Sequence, residues 1–426
     1  MKQKLLKISG VMSYISLFLI PVFAVLLVIS FHSNLLITRT LSIVVYIALS
    51  VVVLSLVLYL LCMRFTDREA LKNKAVRIAA TVFIVLCVGF IVLLYGPFSG
   101  FRNWLISTAM STMSHQYYCK WFYSDEEIEK VQASNFVKEV DEKTDEELIK
   151  NKKTNFVEPL KNDGMTDGIV AQTDAYEIIK LTVNGQTAYL ACVFDPSKVT
   201  VAYTNKLGSM GQYVTKMAEL KDAYLGINGA GFYDPGACSD GGTPGGITIA
   251  GGKIITDNGF HGYSGGGLIG FNKDDVLCLI KNITAEEAIN QGIRDAVSWG
   301  PFLVVNGKSS YVSGNGGWGL AARTAIGQRA DGTVLLLVVN SNATRSKGAD
   351  MGDLAKIMVN YGAVNAANLD GGTSTVMVMP SEDALKVNPE SKTDGWSTAY
   401  RIINDPVDSE LKHKTRPIAD AWVVLK

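Results

Sequence analysis

Three predominantly apolar runs occupy roughly Ile8 to Phe31, Leu41 to Met63 and Ile78 to Tyr95. Each approaches the ~20 residues that a helix needs to cross a hydrocarbon core, so the chain is expected to open with three transmembrane helices. The first run exceeds the apolar stretch of a cleavable signal peptide and two more follow it, which favours an anchor over a removed leader. Lys2, Lys4 and Lys7 precede the first run, and Arg64, Arg68, Lys72, Lys74 and Arg77 lie between the second and third. Basic loops stay on the cytoplasmic side. Everything after about Pro97 is therefore expected on the extracytoplasmic side.

The formal net charge is zero, with 40 basic and 40 acidic residues, but the charges are unevenly placed. Residues 1–96 hold nine Lys and Arg against two acids, so the remainder is mildly acidic. A nucleic-acid partner is not expected, because phosphate-backbone binding needs clustered Lys and Arg. Of six cysteines, Cys62 and Cys87 fall in expected spans, while Cys119, Cys192, Cys238 and Cys278 lie outside them without a CxxC pair. That spacing gives no zinc site and leaves disulfide pairing open.

The expected organisation is a membrane anchor over 1–96, a juxtamembrane helix and polar stalk over 97–168, and one globular domain over 169–426. The stalk reading rests on SDEEIEKVQASNFVKEVDEKTDEELIK, where Ile128, Val131, Phe136 and Val140 form only a sparse apolar stripe among many charges. A partner-binding helix is the alternative there.

From Tyr176 the pattern changes to short β-type runs broken by glycine turns. YEIIKLTV and TAYLACVF flank Asn184-Gly185, GITIA and KIIT flank Gly251-Gly252, and TAIGQR and TVLLLVV flank Ala330-Asp331-Gly332. Each pair predicts a hairpin. Two helices are predicted: Thr284 to Gln291, opened by Thr284 and Glu287 at capping-box spacing, and Asp350 to Tyr361, stopped by Gly362. Hairpins with a few packed helices indicate an α+β domain built on mixed sheets.

Glycine clusters in INGAGFYDPG, GGTPGG and GYSGGG let a ligand approach the backbone, yet none fits a Walker or dinucleotide pattern. No cofactor is expected. The informative residues are the polar ones beside the glycines. Asn228, Asp234, Arg323 and Asp370 each end an apolar run, where side chains from different strands converge on one cleft. Arg323 has the planar fork that holds phosphate or carboxylate. No metal cluster is expected, since Asp350 and Asp353 read as helix caps; a calcium site from Asp234, Asp240 and loop carbonyls is the alternative.

NGAGFYDPG, TPGGITIAGGKII, AVSWGPFLVVNGK, RTAIGQRADGTVLLLVV, GADMGDLAKIMVNYGAVNAANLDGGTSTVMV and RPIADAWVV resemble, in order, the successive motifs of phosphodiester glycosidases. The resemblance covers roughly Asp222 to Lys426. It implies hydrolysis of a glycosyl phosphodiester, with Asn228, Gly229, Arg323, Thr324, Asp370, Gly371, Gly372, Thr373, Ser374 and Arg416 at the site, and Thr243, Gly245 and the Ser298 to Pro301 turn shaping the cleft. The family also implies a setting in exopolysaccharide or cell-envelope metabolism. Two departures stand out: Thr373 follows DGG where many relatives have glycine or serine, and SKTDGWSTAYRIINDPVDSELKHKT precedes RPIADAW.

The chemistry follows from the substrate class. A departing phosphate monoester is already a stable anion, so charge stabilisation matters more than proton donation. Arg323 and Arg416 are expected to neutralise the phosphate while a carboxylate activates water or attacks the anomeric carbon. The expected catalytic residues are Asp370, then Asp234, with Asn228 beside them. His115, His261 and His413 have no evident nucleophilic partner. The rival reading is a non-catalytic envelope module that binds anionic polysaccharide in the same cleft.

Overall fold

The computed structural model describes residues 74–110, 116–150, 165–234, 240–259, 266–342, 347–405 and 415–426, with a few positions between 21 and 29. Most of the first apolar run, all of the second, and His115, His261 and His413 lie outside the described residues. The chain divides into two compact units, residues 1–134 and 135–426.

In the first unit, helix Lys74–Tyr95 contains the third apolar run and is followed by helices Ser99–Met110, Gln116–Phe122 and Asp125–Ser134. Pro97 lacks an amide hydrogen and disfavours helical geometry at Gly96, so the helix breaks there. The chain then folds back on itself: Leu94, Ile106, Cys119, Tyr123, Ile128 and Val131 share a small core, and the Tyr95 hydroxyl donates to the Phe122 carbonyl at 2.8 Å. Among the described residues no single helix is long and apolar enough to cross a membrane. Thr81–Tyr95 and Ser99–Met110 meet that requirement only together, bent by 72°. The third apolar run thus lies within one helix, but the three transmembrane helices expected from the sequence are not supported among the described residues, where the chain bends at Gly96-Pro97 and only the two helices together meet the length and composition of a span.

In the second unit the described strands form three principal sheets. An eight-stranded sheet includes Tyr176–Val183, Gln186–Val193, Arg323–Arg329, Val334–Val339 and Ala363–Asn368. A second, five-stranded, contains Ile247–Ala250, Gly267–Asn272 and Ile293–Trp299. A third, also five-stranded, contains Val199–Tyr203, Ala223–Asn228, Met377–Pro380 and Asp420–Leu425. The α+β class rich in hairpins is what the sequence predicts, but every strand pairing among the described residues is antiparallel, so the sheets are not mixed: consecutive strands joined by short turns pair antiparallel. Asn184-Gly185 and Gly251-Gly252 adopt positive φ at both residues, as a two-residue hairpin turn requires.

Side-chain alternation explains how three sheets share one core. Along Val334–Val339, Val334, Leu336 and Val338 enter the central cluster, whereas Leu335, Leu337 and Val339 face outward. Trp422 and Val424 likewise point inward while Ala421 and Val423 point outward. Each outer face is covered by one helix. Met351–Asn360 lies on the large sheet, Val214–Leu220 on the third and Ala285–Asn290 on the second. Both predicted helices carry capping boxes, Thr284 with Glu287 and Asp350 with Asp353. The sequence patterns do not mark Val214–Leu220 or Ser381–Val387, which are short amphipathic stretches without a side-chain cap.

Cys119, Cys192 and Cys278 are buried free thiols. The inserted stretch that starts at Ser391 begins inside the fold: Tyr400–Ile402 adds an edge strand to the third sheet, paired with Met377–Pro380. Residues 136–150 belong to the second unit and pack within it, although the sequence reads them as a solvated stalk. Phe136–Lys138 pairs with Tyr311–Ser313, and Lys150 N donates to the Ala330 carbonyl at 2.8 Å.

Asp295 joins two sheets. Its buried Oδ1 accepts from Thr200 Oγ1, Val201 N and Gly251 N at 2.8, 3.0 and 3.1 Å, and Oδ2 pairs with Arg294 at 2.5 Å. Removing it leaves these donors and a guanidinium short of an acceptor. Asp295→Ala should therefore lower the unfolding free energy by about 3 kcal/mol in denaturant titrations; a loss below about 1 kcal/mol would mean that apolar packing alone joins the sheets.

Candidate active site

The site lies where strand ends of the large sheet meet strand ends of the third. Asn368 ends one strand opposite Ala325, and Asn228 ends another opposite Ala421. The Asp370 amide donates to the Gly229 carbonyl at 3.1 Å, closing the two ends together.

Asn228 secures that junction. Its Oδ1 accepts from Thr324 Oγ1 at 2.7 Å and from Val376 N at 3.2 Å, and its Nδ2 donates to the Asp370 carbonyl at 2.8 Å. Both side chains are fully buried. Asn228 and Thr324, expected as catalytic and substrate-binding residues, therefore act as positioning groups whose polar atoms are consumed by the protein.

Asp370 is the reactive candidate. Its Oδ1 accepts from Gly371 N at 2.9 Å, whereas its Oδ2 is buried and accepts no hydrogen bond, with Arg416 Nη2 at 3.5 Å. Burial raises the carboxyl pKa, opposed by Arg416, the Ser374 hydroxyl, Gly371 N and Arg323. A carboxylate with one bare oxygen and a raised proton affinity is suited to accept a proton or form a bond.

Arg416 gathers the cluster. It reaches Asp234 Oδ2 at 3.2 Å, Asp370 at 3.5 Å and Ser374 Oγ at 2.9 Å, and its guanidinium lies 4.6 Å from the centre of the Phe232 ring. Asp234 is the more buried partner, at 6% side-chain exposure against 36% for Arg416. Among the described residues no three His, Cys, Asp or Glu side chains gather as a metal site, and Asp240 is exposed.

Arg323 is not the exposed fork expected from the sequence. It is buried, with Nε donating to the Ala349 carbonyl at 3.3 Å and Nη2 to the Trp318 and Gly319 carbonyls, the latter at 2.8 Å. Its charge still favours ionised Asp370. Gly371 packs over it: a Cβ there would stand 2.8 Å from the Ala322 carbonyl oxygen and 3.2 Å from Arg323 Nη1. Gly372 has φ +63, a left-handed conformation. Thr373 is half-buried and Ser374 fully buried, so Ser374 positions Arg416. Thr243 supports the 228–234 loop by accepting from Tyr233 N at 2.9 Å, and Gly245 N donates to the Gly231 carbonyl at 2.9 Å.

The sequence reading passes over one acid beneath the site. Asp420 begins the terminal strand inside the RPIADAWVV motif, so it heads an apolar run where Asp370 ends one, and an acid at either border of such a run is the signal that could have found it. Its Oδ1 accepts from Ala230 N at 2.8 Å and its Oδ2 from Thr248 Oγ1 at 3.1 Å. A Cβ on Gly229 would stand 2.2 Å from Oδ1, so this carboxylate occupies the space that glycine leaves. Burial raises the Asp420 pKa to about 7, opposed by its two hydrogen bonds and reinforced by Asp370. The folded state thus holds a proton that the unfolded chain releases near pH 4, so this acid makes folding less favourable as pH rises from about 4 to 7. Asp420→Asn removes the titration and keeps an acceptor for Ala230. Its melting temperature relative to wild type should climb between pH 5 and pH 8, by an amount corresponding to roughly 2–4 kcal/mol. A pH-independent difference would mean that Asp420 does not titrate in this range.

The segment that carries these residues has known relatives. Residues 221–425 match the phosphodiester glycosidase family model. The SPbeta prophage-derived uncharacterized protein YomE of Bacillus subtilis is 28% identical over 186 residues, covering 42% of this chain and 27% of that protein. The chain thus spans about a quarter of that relative. Among solved structures, the zebrafish N-acetylglucosamine-1-phosphodiester alpha-N-acetylglucosaminidase catalytic domain, auto-inhibited by its pro-peptide, gives a TM-score of 0.44 at 19% identity, covering 58% of this chain and 81% of that one. A hypothetical protein from Synechocystis gives 0.38 at 15% identity, covering 59% and 62%. Residues 221–425 are thus a phosphodiester glycosidase-family domain.

Proposed function

We propose that this protein is a membrane-anchored hydrolase that cleaves a glycosyl phosphodiester outside the cytoplasmic membrane. The observation that carries the reading is Asp370: a carboxylate with one buried oxygen that accepts no hydrogen bond, ion-paired with an arginine that also holds Asp234 and Ser374. In this reading the substrate docks beside the Asp370–Arg416 pair, with the anomeric carbon toward the carboxylate and the phosphate toward the guanidinium. Asp370 Oδ2 takes a proton from water, or attacks the anomeric carbon itself, and Arg416 turns part of its charge toward the departing phosphate monoester. Asp234 holds the guanidinium over the Phe232 ring, so the charge is already placed before the bond breaks. Arg323 supplies a second, fixed positive charge from below. Raised proton affinity makes Asp370 a stronger base than an exposed carboxylate, and it places the acid limb of the activity profile above the ordinary carboxylate value of about 4.

Membrane anchoring is supported by the apolar runs of residues 8–63, by the bent apolar pair Thr81–Tyr95 and Ser99–Met110, and by the basic residues between the runs. An envelope or exopolysaccharide substrate fits that placement. Protease added to intact spheroplasts should digest the region after Pro97 and spare the 64–77 loop; protection of the large domain would place the chemistry inside the cell and overturn this part of the reading.

The chemical step is tested with purified protein and a panel of sugar-1-phosphodiesters, following released sugar and phosphomonoester. Asparagine at 370 still accepts from Gly371 N and removes a buried charge, so Asp370→Asn should keep or slightly raise the melting temperature. Turnover should fall by roughly a hundredfold or more while substrate binding persists. Wild-type turnover in this variant would return Asp370 to the role of a turn residue and favour the polysaccharide-binding alternative.

A further inference from the structure

We propose that Glu139 is a positioning residue of this site, which makes the segment 135–150, outside the family-matched region, a working part of the catalytic unit; the inference rests on the hydrolase reading above. Glu139 reaches in from a stretch whose sequence looks solvated, yet its side chain is only 7% exposed. Its Oε1 accepts from Phe302 N at 2.8 Å and Gly266 N at 2.5 Å, and its Oε2 pairs with Lys281 Nζ at 3.0 Å.

These contacts grip one particular turn. Trp299 to Phe302 connects a strand of the second sheet to one of the eight-stranded sheet. On its far side the turn is held by Asn368, whose Nδ2 donates to the Gly300 carbonyl at 2.7 Å and whose backbone N donates to the Pro301 carbonyl at 3.0 Å. Asn368 stands two residues before Asp370. The same turn carries the Trp299 ring, which fills the space beside Gly231 so closely that a Cβ there would meet it at 2.1 Å. Glu139 and the strand leading to Asp370 therefore clamp the turn from opposite sides, and the turn supports the 228–231 backbone whose Gly229 carbonyl receives the Asp370 amide.

The rest of the segment is tied down at several points. Val140 N donates to Ser310 Oγ at 3.4 Å, and Ser310 Oγ donates to the Phe302 carbonyl at 2.8 Å. Leu279 N donates to Thr144 Oγ1 at 2.9 Å, and Asp145 N to Asn306 Oδ1 at 2.8 Å. Such a strap needs only backbone bonds to stay in place. A buried carboxylate is an expensive way to add adhesion, because its desolvation offsets much of the gain. What it supplies is one acceptor oxygen, at a fixed reach, shared by two amides from different sheets, which fixes their separation. Displacing a catalytic group by about 1 Å can cost around a hundredfold in rate, so the clamp acts on turnover more than on folding.

The test uses the full chain with three substitutions. Glu139→Gln keeps an oxygen at the same reach and loses the charge to Lys281; Glu139→Asp keeps the charge and withdraws the oxygen by one methylene; Glu139→Ala removes both. Turnover number should fall ten- to a hundredfold in the alanine variant with KM within about threefold, fall clearly in the aspartate variant, and be largely rescued by glutamine. Backbone amide exchange over 366–371 should speed up in the alanine and aspartate variants. If the alanine variant does not fold, the glutamine and aspartate pair decides, and aspartate outperforming glutamine would overturn the proposal. Wild-type turnover in a folded alanine variant, or equal losses in all three variants, would overturn it as well. If wild-type protein hydrolyses no substrate in the panel, the hydrolase reading fails instead. Exchange then decides the clamp alone, and unchanged protection at 366–371 in the alanine variant would refute it.

Discussion

The Asn228 side chain is one amide in a fully buried position, and the rest of the site depends on how it is satisfied. A primary amide buried without partners would cost several kcal/mol, so its donors and acceptor fix whatever supplies them. Here these are the Thr324 hydroxyl from the large sheet and the Val376 amide and Asp370 carbonyl from the segment that follows the strand Ala363–Asn368. Two sheets that share an apolar core could slide against each other at little cost, because apolar packing is not directional. The hydrogen bonds of Asn228 remove that freedom at the one place where strand ends meet. The Asp370 carboxylate stands where it does because its backbone amide and carbonyl are both bonded to the end of the third-sheet strand, at Gly229 and Asn228.

Around this junction the protein collects acids that it does not fully neutralise. Asp370 and Asp234 meet Arg416, Asp420 lies beneath them, and two of the three acids have pKa values raised by burial. Arg416 is shared between two carboxylates and a hydroxyl, so in the proposed reaction a phosphate would compete for a guanidinium that is already oriented. Arg323 is fixed by backbone carbonyls and acts through its field. The cluster makes sense as a place where charge is about to change, and poor sense as a device for stability, since similarly sized apolar groups would fold as well or better.

The strap formed by residues 135–150 extends the unit beyond the matched family segment. It lies across the edge strand Leu277–Ile280 and the turn before Lys308–Ser309, covering backbone groups that an exposed sheet edge would leave open to other chains. Its charged composition hides this role. Glu139, Glu142 and Glu146 all find partners on the folded domain, Lys281, Lys308 and Asn272.

Much of the fold is legible in the sequence because it is set by local rules. Asn184-Gly185 and Gly251-Gly252 must turn, short continuous apolar runs between turns such as VLLLVV must lie buried in a sheet, and Thr284 and Asp350 must cap helices, since each outcome needs only neighbouring residues. The candidate carboxylate is legible too, as Asp370 sits between an apolar strand and two glycines. Which polar residues reach the cleft and which are spent inside the protein is not legible, because that depends on partners far away in sequence. Arg323 and Arg416 look equivalent as residues, yet one grips carbonyls and the other bridges acids. Glu139 and Asp420 look like a surface charge and a strand cap until three sheets close over them. The sequence determined the strands, turns and caps and the presence of a glycine-lined acid; only tertiary structure decided its partners, because burial and long-range hydrogen bonding assign each polar atom to protein or to substrate.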